Sequence, residues 1–213
     1  MRVPDSASLH SLTNGLTLEL WFKAASFYKQ SGAVNSLLRK NTEAGGENFF
    51  VRFRIVMGKP AIEMSSGGQI LHAQFGFEPG TWYHLAGTCD PNAMTAFVNG
   101  VPVSSQPFTG SIQIDDSDLM IGKGDPNYSQ GEYFHGDIAD MRIWNVARSP
   151  EQIRTAMNAR LTGKEPGLVA YWTFEDGTAK DFSPNGNNGS LDGEAKIVGV
   201  TSGEAPPSSS QNR

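Results

Sequence analysis

The sequence predicts an all-β fold in which two antiparallel sheets pack face to face as a jelly-roll sandwich. Around a dozen short segments alternate apolar and polar side chains, which is typical of strands with one buried face. Turn residues separate them at intervals of about 8 to 12 residues, and the 213-residue chain contains 24 Gly and 12 Pro. Only one segment, near residues 149–162, has the spacing of a helix. An α/β wound fold would need many more helices.

The alternation is clearest near the two ends of the chain. In residues 16–22, Leu and Phe alternate with Thr17, Glu19 and Trp21, which predicts a strand with one face in the core. Residues 168–174 alternate in the same way. A weak strand is predicted over residues 195–200.

Two hairpins are predicted in the middle of the chain. Residues 93–98 meet Asn99 and Gly100, the pair that a two-residue type I′ turn prefers. Residues 49–56 precede a turn at Gly58, Lys59 and Pro60, and the chain then returns through residues 61–64. In the strand over residues 49–56, Arg52, Arg54 and Phe50 share one face.

The helix has a clear start signal. Ser149 is a suitable N-cap and Pro150 suits the first helical position. Ile153 and Met157 are spaced to share one buried face, and the helix is expected to end near Gly163.

Length and composition predict one domain over residues 2–200. The Pro- and Ser-rich residues 201–213 are expected to be a disordered linker or tail, so the chain is expected to belong to a larger multidomain protein. A net charge of −5 without long charged runs argues against a nucleic-acid partner. No apolar stretch reaches the roughly 18 residues of a membrane span, so no membrane insertion is expected. Cys89 is the single cysteine, and its apolar neighbours predict a buried core residue.

Eight sequence phrases resemble a known family when they are taken together in order. They are residues 3–9, 18–22, 80–86, 97–100, 134–138, 142–145, 171–175 and 181–191. This set resembles the laminin-G-like jelly rolls, part of the concanavalin A-like group that includes the pentraxins. The resemblance covers most of the chain and implies the same fold. Because such modules are attached to secreted enzymes and adhesins, it also implies an extracellular or cell-surface protein.

The resemblance implies a non-catalytic binding module, with carbohydrate as the expected partner. Two alternatives remain open: an adhesion or scaffold domain that binds protein or acts as a spacer, and a polysaccharide-degrading enzyme of the same fold. The Glu-x-Asp-x-Glu pattern of the hydrolases is absent. Asp137 with Asp140, and Glu175 with Asp176, lack the alternating spacing of two carboxylates on one strand face. We therefore predict no catalytic residues.

Candidate ligand-binding residues fall in two places. The loop over residues 125–133 combines aromatic and planar polar side chains, as sugar sites do. Its candidates are Asp125, Asn127, Tyr128 and Tyr133. Arg52 and Arg54 could form a fork for a carboxylate or sulfate of an acidic polysaccharide, or they could simply lie on a solvated outer face. The four tryptophans occupy alternating strand positions and are expected to pack in the core.

A structural calcium ion is the expected cofactor, because calcium prefers oxygen ligands in loops and the Asp and Asn residues concentrate in three turns. These turns are residues 115–118, 125–127 and 181–188. The candidate ligands are Asp181, Asn185, Asn187 and Asp125. Pentraxins hold two calcium ions in the loop that corresponds to residues 122–125, but here only Asp125 matches. The alternative at Asp181 is a carboxylate that accepts backbone N–H groups without a metal.

Overall fold

A computed structural model describes residues 1–28, 34–41, 47–124 and 133–199. Within these residues two six-stranded antiparallel sheets pack face to face, which confirms the predicted all-β sandwich. In chain order the strands are β1 Arg2–Val3, β2 Leu16–Ala24, β3 Val34–Asn41, β4 Glu47–Val56, β5 Lys59–Ser66, β6 Gln69–Gln74, β7 Trp82–Cys89, β8 Ala93–Val98, β9 Val101–Pro107, β10 Leu119–Ile121, β11 Gly136–Trp144 and β12 Leu168–Trp172. A 3₁₀ helix spans Leu9–Ser11, and helix α1 spans Pro150–Ala156.

Neighbouring strands within each sheet are often far apart in the sequence, because the chain crosses between the two sheets. Sheet A has the order β1-β10-β3-β4-β5-β6, and sheet B has the order β12-β11-β2-β7-β8-β9. Apolar side chains from both sheets fill the space between them, and Phe22 of sheet B lies 4.9 Å from Phe53 of sheet A between ring centroids. No helix in the described ranges has the length and apolar character needed to cross a membrane. The predicted tail, residues 201–213, lies outside the described residues.

Cys89 and most of the tryptophans lie where the sequence predicts. Cys89 is fully buried, and burial raises the pKa of its thiol to about 11, so the thiol stays protonated at neutral pH. Trp21, Trp144 and Trp172 are buried, whereas Trp82 at the start of β7 is partly exposed. Cys89 and the three buried tryptophans therefore serve packing, whereas the expectation that Trp82 lies in the core was wrong.

The first predicted hairpin has the expected turn. Asn99 and Gly100 both have positive φ, 50° and 74°, as a type I′ turn requires. A Cβ at Gly100 would lie 3.1 Å from Cα of Arg154, so helix α1 packs closely against this turn. The second hairpin was predicted with the wrong turn. Its central residues are Met57 and Gly58, and β5 already begins at Lys59.

Three further expectations were wrong. Strand β2 buries both faces, because helix α1 and its flanking segments cover Glu19 and Trp21. Helix α1 ends at Ala156 and not near Gly163, since the carbonyls of Ala156 and Ala159 accept hydrogen bonds from the Arg142 guanidinium. Residues 195–199 form no strand, because no neighbouring strand pairs with them in the described part of the chain.

Candidate functional site

The outer face of sheet A carries a group of charged side chains. Val51 and Phe53 of β4 point into the core, so Arg52 and Arg54 point away from sheet B, on the same side as Phe50, as predicted. The antiparallel register places Glu63 of β5 opposite Arg52. His72 of β6 lies opposite Glu63. Three neighbouring strands thus contribute one side chain each to a row across the sheet.

We call Arg52, Arg54, Glu63 and His72 the Glu63 cluster. Nε of Arg52 donates a hydrogen bond to Oε2 of Glu63 at 2.9 Å, and its guanidinium lies 4.1 Å from the centroid of the Phe50 ring. Nη1 of Arg54 lies 3.5 Å from Oε1 of Glu63, and Nδ1 of His72 lies 3.4 Å from the same oxygen. Glu63 is fully buried, and its Oε1 accepts no hydrogen bond from the described residues.

The cluster changes the interpretation of the two arginines. Arg52 is already engaged by Glu63 and only 13% of its side chain is exposed, whereas Arg54 is 46% exposed. The two guanidinium groups are therefore not both exposed to solvent. Of the two, the Arg54 guanidinium is the one accessible to the predicted acidic ligand. Sequence reasoning missed Glu63 and His72, which complete the cluster.

Of the candidates in the predicted ligand loop, Tyr133 belongs to the described residues. Asp125, Asn127 and Tyr128 lie outside the described residues. Tyr133 is described, and its side chain is 52% exposed. The loop that contains it begins after β10, at the end of sheet A where Val34 of β3 pairs with Arg54.

The turn around Asp181 is held by hydrogen bonds. Oδ1 of Asp181 accepts from the backbone N–H groups of Tyr171 and Ser183, at 2.9 and 2.8 Å. Oδ2 accepts from the hydroxyl of Ser183 and the N–H of Asn187, at 2.7 and 2.8 Å. The side-chain amides of Asn185 and Asn187 both donate to the carbonyl of Val169. These residues fit a metal-free turn, and calcium at this position stays a prediction.

The carboxylates of residues 115–118 are likewise partnered. Asp115 accepts from the N–H and hydroxyl of Ser117, at 3.0 and 2.6 Å. Burial opposes ionisation of Asp115, but hydrogen bonds from Ser117 and Asn48 outweigh it and lower the pKa of the carboxyl. Asp118 accepts from the N–H of Asp5 and pairs with Arg2. Asp116 is exposed and lies with Asp5 and His10 in a group whose possible ligand atoms are all within 4.8 Å of one another, so calcium at this turn stays a prediction.

A second charged network lies on the outer face of sheet B, beneath helix α1. Glu19 is fully buried, and its carboxylate lies 2.8 Å from Nη1 of Arg148 and 3.4 Å from Nε2 of His84. Burial raises the pKa of Glu19, but the nearby His84 and the charges of Arg142 and Arg148 outweigh it, so the pKa is lowered. Because helix α1 and the segment after it close over this network, we assign it to stability.

Three of the four acids weighed for catalysis contact a basic side chain. Asp137 lies 3.0 Å from Nζ of Lys23, and Asp140 accepts two hydrogen bonds from Arg142. Glu175 pairs with Arg160. The negative charge of each of these three carboxylates is thus balanced by a neighbouring lysine or arginine.

Comparison with known proteins decides the family. The model of the Laminin_G_3 family, described as the concanavalin A-like lectin/glucanases superfamily, matches residues 1–154. The chain belongs to this family. The laminin-G-like resemblance noted from the sequence phrases is thereby confirmed.

Solved structures of the Laminin_G_3 domain's fold show the same architecture. A protein from Bacteroides ovatus ATCC 8483, provisionally assigned as a carbohydrate-binding protein, superimposes with a TM-score of 0.66 at 22% identity, covering 92% of this chain and 58% of that one. Domain 4 of AbnA, a GH43 extracellular arabinanase from Geobacillus stearothermophilus, was solved with arabinotriose. It superimposes with a TM-score of 0.54 at 21% identity, covering 72% of this chain and 70% of that one. At these identities the likeness shows the fold.

One curated relative matches a part of this Laminin_G_3 chain. Mouse pappalysin-1 is 29% identical over an alignment of 99 residues, and the match covers 42% of this chain and 6% of pappalysin-1. The chain thus spans a small fraction of that relative and little more than half of the Bacteroides ovatus protein.

Proposed function

We propose that this domain is a non-catalytic carbohydrate-binding module of a larger extracellular or surface protein, and that it binds sugar on the outer face of β4, β5 and β6. The observation that carries the proposal is the Glu63 cluster. It combines a buried carboxylate oxygen, which accepts no hydrogen bond from the described part of the chain, with two exposed planar donors, Arg54 and His72. Sugar sites use a few such convergent polar groups to fix their ligand.

Relatives of the same fold support this proposal. Domain 4 of AbnA was solved with arabinotriose, and the Bacteroides ovatus protein is provisionally assigned to carbohydrate binding. The family itself groups lectins with glucanases. A place within a larger protein is supported by the 58% of the Bacteroides ovatus chain that this domain covers.

The small number of carboxylates on this face favours binding over hydrolysis. Glycoside hydrolases use two carboxyl groups roughly 5 to 9.5 Å apart. Among the strand side chains described on the outer face of sheet A, Glu63 is the only carboxylate. Its neighbours are two arginines and a histidine, so a second acid to complete a catalytic pair is lacking among these side chains.

A glycan array tests the proposal. The purified domain is applied to immobilised oligosaccharides of three classes, uncharged, uronic acid-containing and sulfated, with and without EDTA. We expect saturable binding to at least one class and no release of reducing sugar. Absence of binding to every class would favour the adhesion or spacer alternative. Release of reducing sugar from a matching polysaccharide would favour the enzyme.

A further inference from the structure

We infer that the Glu63 cluster selects an uncharged sugar unit that presents two neighbouring hydroxyl groups. One hydroxyl donates to Oε1 of Glu63, and the other accepts from Arg54 or His72. This inference rests on the proposed function, because it names the ligand class of the same site.

Oε1 of Glu63 has no hydrogen-bond donor among the residues that the structure describes. A buried acceptor without a partner is costly, and the cost is larger for a charged group. Arg54 and His72 lie 3.5 and 3.4 Å from Oε1, yet neither makes a hydrogen bond with it. A sugar hydroxyl can donate and accept at once, so it can satisfy Oε1 and stay within reach of the two rim side chains. A sulfate or an ionised carboxylate only accepts, and its charged group cannot fill this role.

The Glu63 carboxylate also reduces the attraction of this face for an anion, although the two arginines outnumber it. Glu63 neutralises Arg52, whose Nε is bonded to Oε2 and whose guanidinium lies over the Phe50 ring. An anionic group that reached Arg54 would approach the Glu63 carboxylate, whose oxygen lies 3.5 Å from the Arg54 guanidinium. Repulsion between the anion and the buried Glu63 carboxylate would offset part of the attraction of Arg54, because burial strengthens interactions between charges.

The rim of the cluster is accessible. The side chains of Arg54 and His72 are 46% and 60% exposed, and both belong to the solvent side of the sheet. Either side chain can rotate and open a path to Oε1 without disturbing the core. Ile70, two residues before His72 on β6, is also partly exposed on this face and offers an apolar contact.

Binding of the three oligosaccharide classes by matched variants tests the inference. Arg54→Gln is expected to weaken binding of the uncharged oligosaccharides at least roughly ten-fold, the loss typical of a hydrogen bond from a charged group. Arg154→Gln, an equally conservative change at an exposed position of helix α1, is expected to bind as wild type does. Glu63→Gln is expected to lose uncharged ligands and to gain affinity for uronic acid-containing or sulfated ones, because Arg52 and Arg54 are then uncompensated.

Thermal unfolding of each variant accompanies the binding measurements. If Glu63→Gln does not fold, the comparison of Arg54→Gln with Arg154→Gln still decides. A wild-type preference for acidic oligosaccharides, or equal binding by the two arginine variants, would overturn the inference and leave the proposed function standing. A wild-type domain that binds no oligosaccharide would overturn both.

Discussion

Replacing Arg142 with Leu is expected to lower the free energy of unfolding by about 3 to 5 kcal/mol. The guanidinium is buried and makes a two-pronged contact with Asp140, with Nε and Nη2 at 2.8 and 3.0 Å from its two oxygens. It also donates to the carbonyls of Ala156 and Ala159. Without it, two acids, Glu19 and Asp140, lose a buried cation and the end of helix α1 loses its cap.

Urea unfolding followed by circular dichroism measures this loss. Arg160→Gln is the matched control, because Arg160 pairs with Glu175 at the surface, where such a pair contributes about 0 to 1 kcal/mol. If Arg142→Leu costs no more than Arg160→Gln, the buried network does not hold the helix to sheet B. A double variant with Glu19→Gln is expected to cost less than the sum of its single changes, since the two residues share one network.

Replacing Asp181 with Ala is expected to lower the free energy of unfolding by about 3 to 4 kcal/mol. The change removes four accepted hydrogen bonds and leaves the buried N–H groups of Tyr171, Ser183 and Asn187 without an acceptor. The carbonyl of Asn187 in this turn also accepts a hydrogen bond from Nε1 of Trp172. Loss of order in the turn would therefore also disturb the packing of Trp172 in the core. Asp181→Asn keeps one acceptor oxygen and is expected to cost less.

Thermal unfolding with and without EDTA separates hydrogen bonding from calcium at this turn. Asp176→Ala is the control, because Asp176 is exposed and accepts hydrogen bonds only from Thr178 among the described residues. The metal-free turn predicts a lower Tm for Asp181→Ala and an unchanged Tm for wild type in EDTA. A fall in wild-type Tm on chelation that Asp181→Ala abolishes would show a cation at this carboxylate instead.

The family phrases predict the fold because their residues meet in one place. Glu19, His84 and Arg142 come from three of the eight phrases, and the structure joins them beneath helix α1. Alternation alone did not predict that these positions are buried. It also gave no sign of the β-bulge at Asp140, whose positive φ of 47° lets Asp140 face the guanidinium of Arg142. The early end of the helix depends on that same distant arginine.

The Glu63 cluster was missed because a turn was misassigned. Strand register in a hairpin is set by the length of its turn. The two-residue turn Met57-Gly58 pairs Val56 with Lys59 and therefore Arg52 with Glu63. The turn expected at residues 58–60 would have placed Glu63 opposite Ile55 instead. His72 could be placed beside Glu63 only after the pairing of β5 with β6 was known.

Chemical-shift mapping tests the central claim most directly, that the outer face of sheet A binds sugar. The ¹⁵N-labelled domain is titrated with the oligosaccharide that binds best on the array, and backbone amide shifts are followed to saturation. The account predicts the largest shifts in β4, β5 and β6 around Arg52, Glu63 and His72, with the amides of helix α1 unchanged. Shifts confined to helix α1 or to the Asp181 turn, with β4 to β6 unaffected, would contradict it.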